Sequence, residues 1–393
     1  MSAKPLSLRA METRLSALYA TIFLVGGVQN PFLPVWLGAL GFSTDQIGWL
    51  MAAPRGLQAV LLPVVTHRID RGGGLVSTLL GLSLVAVAAC LAISASSATP
   101  VVLVSLAAFF VSQSANMPIL DILTYSLADR DGRRVDFGRV RKWGSVAFVA
   151  GNLLGGAALT AVAVTRLPPI MSLTAAVAIL GCLYSRRLDA GARVAPRPAA
   201  TNRAALGLVL GCVIAVEALV QSSHALLQTL GGLHWAAAGH SNFFIGVAWA
   251  VGVVTETLAF AVFGNRRVGP KYAAKLLALG AGSAVLRWIA MAFDPPGAVI
   301  LTLQAMHGLT FAATHVGALE LSSELAPPGS RGSVQGGMIA LNGGLYAAFS
   351  VATGPLDGAF GQGAYFVMAS LAAAGLALTA VIAARRPLAP VAA

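Results

Sequence analysis

The chain has 393 residues, of which 57% are hydrophobic and 10% charged, and a formal net charge of +12. Soluble domains average about 25% charged residues, so this composition excludes a soluble globular protein and indicates a polytopic membrane protein. The cations sit in short gaps between apolar runs and form no extended basic face, which excludes nucleic acid as a partner; retention of Lys and Arg on the cytoplasmic side accounts for the excess charge.

About twelve stretches reach the roughly 20 mostly apolar residues that a bilayer crossing takes: near 15–37, 47–67, 75–96, 101–127, 142–164, 168–185, 204–230, 241–263, 272–293, 298–323, 332–354 and 363–384. The first follows Lys4, Arg9 and Arg14 and is interrupted by Gln29-Asn30-Pro31 without a small-residue cleavage site, so it reads as a spanning helix and not as a removed signal peptide. Placing the N-terminus inside puts Arg68, Arg71, the Arg130–Lys142 cluster, Arg186 to Arg203, Arg266 to Lys275, Arg331 and Arg385-Arg386 on one face and leaves Arg166 outside. Both termini are therefore expected to be cytoplasmic.

The segment from Arg186 to Arg203 is rich in Ala, Pro and Arg and has no apolar period. It reads as a cytoplasmic linker, 186–203, between two pseudosymmetric six-helix bundles, 1–185 and 204–393. An internal echo supports the duplication: Ser43-Thr44-Asp45-Gln46-Ile47-Gly48 opens the second helix and Ser241-Asn242-Phe243-Phe244-Ile245-Gly246 the eighth. Cys90, Cys182 and Cys212 lie inside apolar runs without metal-ligand spacing, so neither disulfides nor a metal site is expected. The Gly-rich runs of helices 5 and 11, including Gly336-Gly337 and Gly343-Gly344, are expected to permit close helix approach. They lack the Lys-Ser/Thr pair of a phosphate loop, so ATP is not expected to drive this protein.

Ionisable residues at membrane depth cost about 2.5–3.5 kcal/mol each by insertion scales and mark function by default. Arg55, Asp121, Glu217, His224, Glu256, Arg287, His307, His315 and Glu320 form this set. A guanidinium keeps its charge, so Arg55 and Arg287 each require an anion: a protein carboxylate, such as Asp121 for Arg55 and Glu256 for Arg287, or a substrate carboxylate. Expected substrate-lining residues are Gln29, Arg55, Asn116, Gln221, Arg287, Trp288, His307 and Asn342, with Asp121, Glu217 or Glu256 carrying a proton. His315 reads as a side chain hydrogen-bonded to a neighbour, Asn152 as glue between helices.

Asp136-Phe137-Gly138-Arg139-Val140-Arg141-Lys142-Trp143-Gly144-Ser145 resembles the [D/E]-[F/Y]-G-R-x-R-x-[W/F]-G-[S/C] signature of lactose-permease-like members of the major facilitator superfamily. Its Trp-Gly-Ser form is nearest to the phenylpropionate-permease branch, with the nucleoside–proton symporters next. Glu256 in Gly252-Val253-Val254-Thr255-Glu256 and the Arg287-Trp288 pair resemble that branch on helices 8 and 9. The resemblance implies an all-α fold of twelve transmembrane helices and a site in which Glu256, Arg287, His307 and Glu320 match residue types that hold substrate and proton in relatives. It also implies gating roles for Asp70, Arg71, Arg139 and Arg141. Asp70 and Arg71 equally suit a solvated pair, and Arg141 suits a headgroup anchor.

The function expected is proton-coupled uptake of a small organic solute across the bacterial cytoplasmic (inner) membrane by alternating access, with an aromatic carboxylate as first candidate. A monomer with no cofactor beyond the proton gradient is expected. A sugar or nucleoside symporter and a proton-antiporting exporter are the rivals. An enzyme is not expected, because neither a metal-spaced cluster nor an activated nucleophile is present.

Overall fold

The structure is a computed structural model, and it describes residues 6–54, 56–57, 74–96, 98–128, 135–191, 207–264 and 269–385. Among the described residues every regular element is helical, and ten stretches are long and apolar enough to cross a membrane. In chain order the helices are α1 (Leu8–Ala39), α2 (described over 44–54), α3 (Leu75–Ala95), α4 (Thr99–Leu127), α5 (Phe137–Ala161) and α6 (Val164–Asp189). They continue with α7 (Leu208–Ala237), α8 (Asn242–Gly264), α9 (Pro270–Met291) and α10 (Gly297–Leu325). The stretch Arg331–Arg385 is two helices, α11 (Arg331–Phe360) and α12 (Ala364–Arg385), separated by the turn Gly361–Gly363. Arg55, Asp70 and Arg71 lie outside the described residues.

The chain divides into two compact units. The first holds Met1–Gly41, Ala53–Arg197 and Ser241–Ala250; the second holds Phe42–Ala52, Pro198–His240 and Val251–Ala393. One packing scheme serves both. In the first unit α1 lies on α5 and α6, and α3 on α4 and α6; in the second α7 lies on α11 and α12, and α9 on α10 and α12.

The six-residue echo marks the start of α2 and the start of α8, and the structure extends it. Gly41 and Gly239 both adopt left-handed backbone, with φ of 86° and 87°, where a β-carbon would be strained. Two residues on, Ser43 and Ser241 cap the following helices, the Ser43 hydroxyl accepting from Gln46 N (3.3 Å) and the Ser241 hydroxyl from Phe244 N (3.2 Å). Gln46 returns the bond to Ser43 N at 2.9 Å, completing a capping box.

The echo ends on a glycine for a packing reason. A β-carbon on Gly48 would come within 2.8 Å of the Ser350 carbonyl on α11, and one on Gly246 would collide with the Asn152 carbonyl on α5. Gly354 abuts Asp45, and Gly156 abuts Asn242, in the same two crossings. Asn152 is wholly buried there; with its amide turned to suit its neighbours it donates to Gly27 O (2.6 Å) and accepts from Ala250 N (3.3 Å). The expectation of close approach therefore holds for α5, but not for the runs Gly336-Gly337 and Gly343-Gly344 of α11. Nothing lies within 4 Å of a β-carbon built on any of those four, because the crossing is made further along, at Ser350 and Gly354.

The first unit is tied at two helix starts. Asp189, at the end of α6, caps α3: its carboxylate accepts from Val76 N (2.7 Å), Ser77 N (3.0 Å) and the Ser77 hydroxyl (2.6 Å). Asp136 caps α5 by accepting from Arg139 N at 2.9 Å. Helix α5 thus begins within the basic signature, five residues before the apolar run, because a charged first turn is stable outside the hydrocarbon when its amides are capped.

Candidate functional site

Two helices of the second unit break at the same buried cluster. Helix α7 turns at Ser223-His224 before a π-helical segment, Leu227–Gly231; α10 turns at Met306 before another, Gly308–Ala313. Backbone irregularity at membrane depth requires protein groups to take up the freed polar atoms. Here side chains from α7, α9 and α10 do so.

Arg287 of α9 lies at the centre, 1% exposed. Its Nη2 donates to Gln304 Oε1, and its Nη1 donates to Thr310 Oγ1 (3.1 Å) and His307 Nδ1 (3.3 Å). A guanidinium only donates, so His307 accepts at Nδ1; its proton is on Nε2, which donates to Glu256 Oε2 at 3.2 Å. Arg287 and Glu256 are thus joined through a neutral imidazole. Of the alternatives read for Arg287, direct pairing with Glu256 is replaced by this relay, because His307 stands between them.

A second arm runs to α7. A carbonyl only accepts, so His224 Nδ1 donates to Val220 O (3.0 Å), and Nε2 of the neutral ring accepts the Thr310 hydroxyl (2.9 Å). Trp288, wholly buried, donates from Nε1 to Ser223 Oγ at 2.8 Å and offers its face to Arg287, whose Cζ is 4.7 Å from the ring centre. Tyr365 stacks on Trp288, centroids 5.9 Å apart. A desolvated cation over indole gains about 2 kcal/mol, so Arg287 is held by aromatic and neutral acceptors. Among the described residues no carboxylate lies within ion-pair distance of it, and its buried Nε has no hydrogen-bond partner.

Of the residues expected to bind substrate or proton, Arg287, Trp288, His307 and Glu256 come together here. Gln221 is buried nearby, its Nε2 donating to Phe311 O at 3.4 Å. Glu217 faces His315, with Oε1 2.9 Å from Nδ1. Glu320 and half-buried Asn342 take no part in the Arg287 cluster. Gln304 and Thr310, one turn before and after His307, were legible as its helical neighbours.

In the first unit, Asp121 accepts from the hydroxyl of Tyr19 at 3.0 Å, and Thr124 Oγ1 lies 3.2 Å from the same hydroxyl. Asn116, buried one residue past a break at Ala115, donates to Gln113 Oε1 (3.1 Å), and Gln29 is buried on α1. Arg139 pairs with Glu12 of α1, which also accepts from Asp136 N at 3.3 Å. Arg141 sits over Phe23, Cζ 5.6 Å from the ring centre, and Phe137 stacks on Tyr125 at 5.3 Å. In this structure the signature residues thus fasten the start of α5 to α1 and α4.

Residues 12–372 match the MFS_1-like family. The chain belongs to that family. A protein of Escherichia coli (strain K12) named "Probable 3-phenylpropionic acid transporter" is 29% identical over 371 residues, covering 92% of this chain and 95% of its own. Among solved structures, a mutant form of the nucleoside transporter NupG superposes with a TM-score of 0.79 at 14% identity, over 95% of this chain and 99% of that one. A bacterial homologue of the iron transporter ferroportin in an inward-facing state gives 0.73 at 16% identity, over 97% and 100%. At such identities the two structures speak for the fold alone. This MFS_1-like chain is a multi-pass membrane transporter, and its relatives are transporters and not enzymes.

Proposed function

We propose that the protein is a symporter that uses the proton gradient to carry a small aromatic carboxylate into the cell across the cytoplasmic (inner) membrane. In this reading the chain crosses the membrane as twelve helices with both termini cytoplasmic, and transport proceeds by alternating access in a monomer. The observation that carries the substrate class is Arg287: a buried, permanent cation over Trp288, with neutral acceptors and no carboxylate in ion-pair range among the described residues. A buried charge without an anionic partner is costly to hold, so such a cation is retained where an anion visits it. A carboxylate meets the guanidinium, and an apolar ring suits half-buried Phe311. The relative named for 3-phenylpropionic acid supports the same class. Asp121, Glu217 and Glu256 are the groups available to carry the proton.

Uptake of labelled 3-phenylpropionate into proteoliposomes under an imposed inward pH gradient tests this. Accumulation should be competed by aromatic carboxylates and not by sugars or nucleosides, and Arg287→Gln should abolish it. Equal competition by a neutral sugar or nucleoside, or undiminished uptake by Arg287→Gln, overturns the carboxylate reading. Accumulation only under an outward-directed gradient makes the protein an exporter.

A further inference from the structure

Glu217 and His315 stand apart from the Arg287 cluster. Glu217 is 1% exposed, and its Oε2 is buried without a hydrogen-bond partner. Its Oε1 meets His315 Nδ1 at 2.9 Å, and 38% of the His315 side chain is open. A carboxylate oxygen that is buried and unpaired is costly while charged. We infer that the Glu217–His315 dyad is the proton-binding site that couples transport to the gradient. This rests on the symport reading above, and it selects among the three carboxylates named there.

The dyad can gain or lose a proton without losing its internal bond. With a neutral imidazole and an ionised carboxylate, Nδ1–H donates to Oε1. An added proton enters at Nε2 of His315 as the Nδ1 proton passes to Oε1, leaving a carboxylic acid that donates to Nδ1. One unit of charge changes and the 2.9 Å contact persists. Among the described residues, the titratable group acting on the dyad from outside is Glu256 of α8, which acts on His315 electrostatically; the neutral Gln221 lies one turn from Glu217 on α7.

A mechanical link to the Arg287 cluster is built in. Phe311, within the π-helical segment Gly308–Ala313, stacks on His315 (6.4 Å, 22°) and packs against His307 (5.2 Å). Its carbonyl takes the Gln221 amide. Any reseating of His307 by a ligand at Arg287 is therefore felt by the segment that aims His315 at Glu217.

Infrared spectroscopy of the full-length protein, without substrate, reads the dyad directly. A protonated-carboxyl C=O band that titrates in wild type should be absent in Glu217→Gln, and in His315→Asn its midpoint should move by about one pH unit. In proteoliposomes the ratio of gradient-driven accumulation to equilibrium exchange of 3-phenylpropionate should fall roughly tenfold in Glu217→Gln, the change carried by about one pH unit. Glu217→Asp, which keeps the acid, should retain coupling. A titrating band that survives Glu217→Gln, or an unchanged ratio, overturns the inference. A wild type that moves no carboxylate but shows the band lost in Glu217→Gln overturns the substrate reading and leaves the proton site standing.

Discussion

The two units share a packing plan and differ in what they bury. The interval that separates Gly48 from Gly246 also separates Gly41 from Gly239, Asn152 from Ser350, Gly156 from Gly354 and Tyr19 from Glu217. The glycines do the same work at both ends of that interval. Tyr19 and Glu217 do not: Tyr19 offers a hydroxyl to Asp121 of α4, whereas Glu217 offers a carboxylate to His315 of α10. Backbone contacts tolerate no β-carbon and so stayed fixed when the halves diverged. Side chains across a first-to-fourth helix contact were free to change, and the second unit has concentrated Arg287, Glu256, Glu217, His224, His307 and His315.

The largest effect is expected at the relay. His307→Ala leaves Arg287 and Glu256 facing a void, and loss of such a buried mediator should cost about 3–5 kcal/mol, read as a lowered melting temperature in detergent together with lost uptake. Next come the crossings: Gly246→Ala and Gly48→Ala each force a backbone shift and should each cost about 1–3 kcal/mol. Equal losses from both, measured by thermal melting, would confirm that the crossings are equivalent; a loss from one alone would break the comparison. Asp189→Asn removes a shared cap from α3 and should cost about 0.5–2 kcal/mol without altering the ratio of driven uptake to exchange. Asp121→Asn keeps an acceptor for Tyr19, so stability should change by about 1 kcal/mol or less with coupling retained, which sharpens the contrast with Glu217. At the foot of the scale, Gly343→Ala on open α11 should be neutral or slightly stabilising, since alanine is the better helix former by up to about 1 kcal/mol.

Much of this was legible in the sequence. Apolar runs located the helices that the described residues form, the echo marked the matching starts of α2 and α8, and the intramembrane set contained Glu256, Arg287 and His307, which do converge. The pairing of those residues was not legible. Spacing along a regular helix assigns a face, but a π-helical segment such as Gly308–Ala313 takes more residues per turn and turns all later side chains away from the predicted direction. His315, read as hydrogen-bonded to a neighbour, is so bonded, but that its partner is Glu217 and that Phe311 stands between the two histidines could not be read from spacing. The role of Tyr19 was hidden because a lone tyrosine in an apolar helix carries no signal until its partner on α4 is known. The signature at Asp136 to Ser145 was recognised as a motif, yet its contact with Glu12 depends on where α1 begins, and Leu8 lies well before the apolar run that located that helix.

Among the described residues the Nε of Arg287 is unpartnered, but its two terminal nitrogens are already engaged with an amide, a hydroxyl and an imidazole, so a ligand arriving at them does not fill an empty socket; it exchanges with an acceptor already in place. A sugar hydroxyl would trade one neutral oxygen for another and gain little. An anionic oxygen would gain from the charge as well as the bond, so under the carboxylate reading proposed above the cluster would discriminate by competition, with no steric filter required.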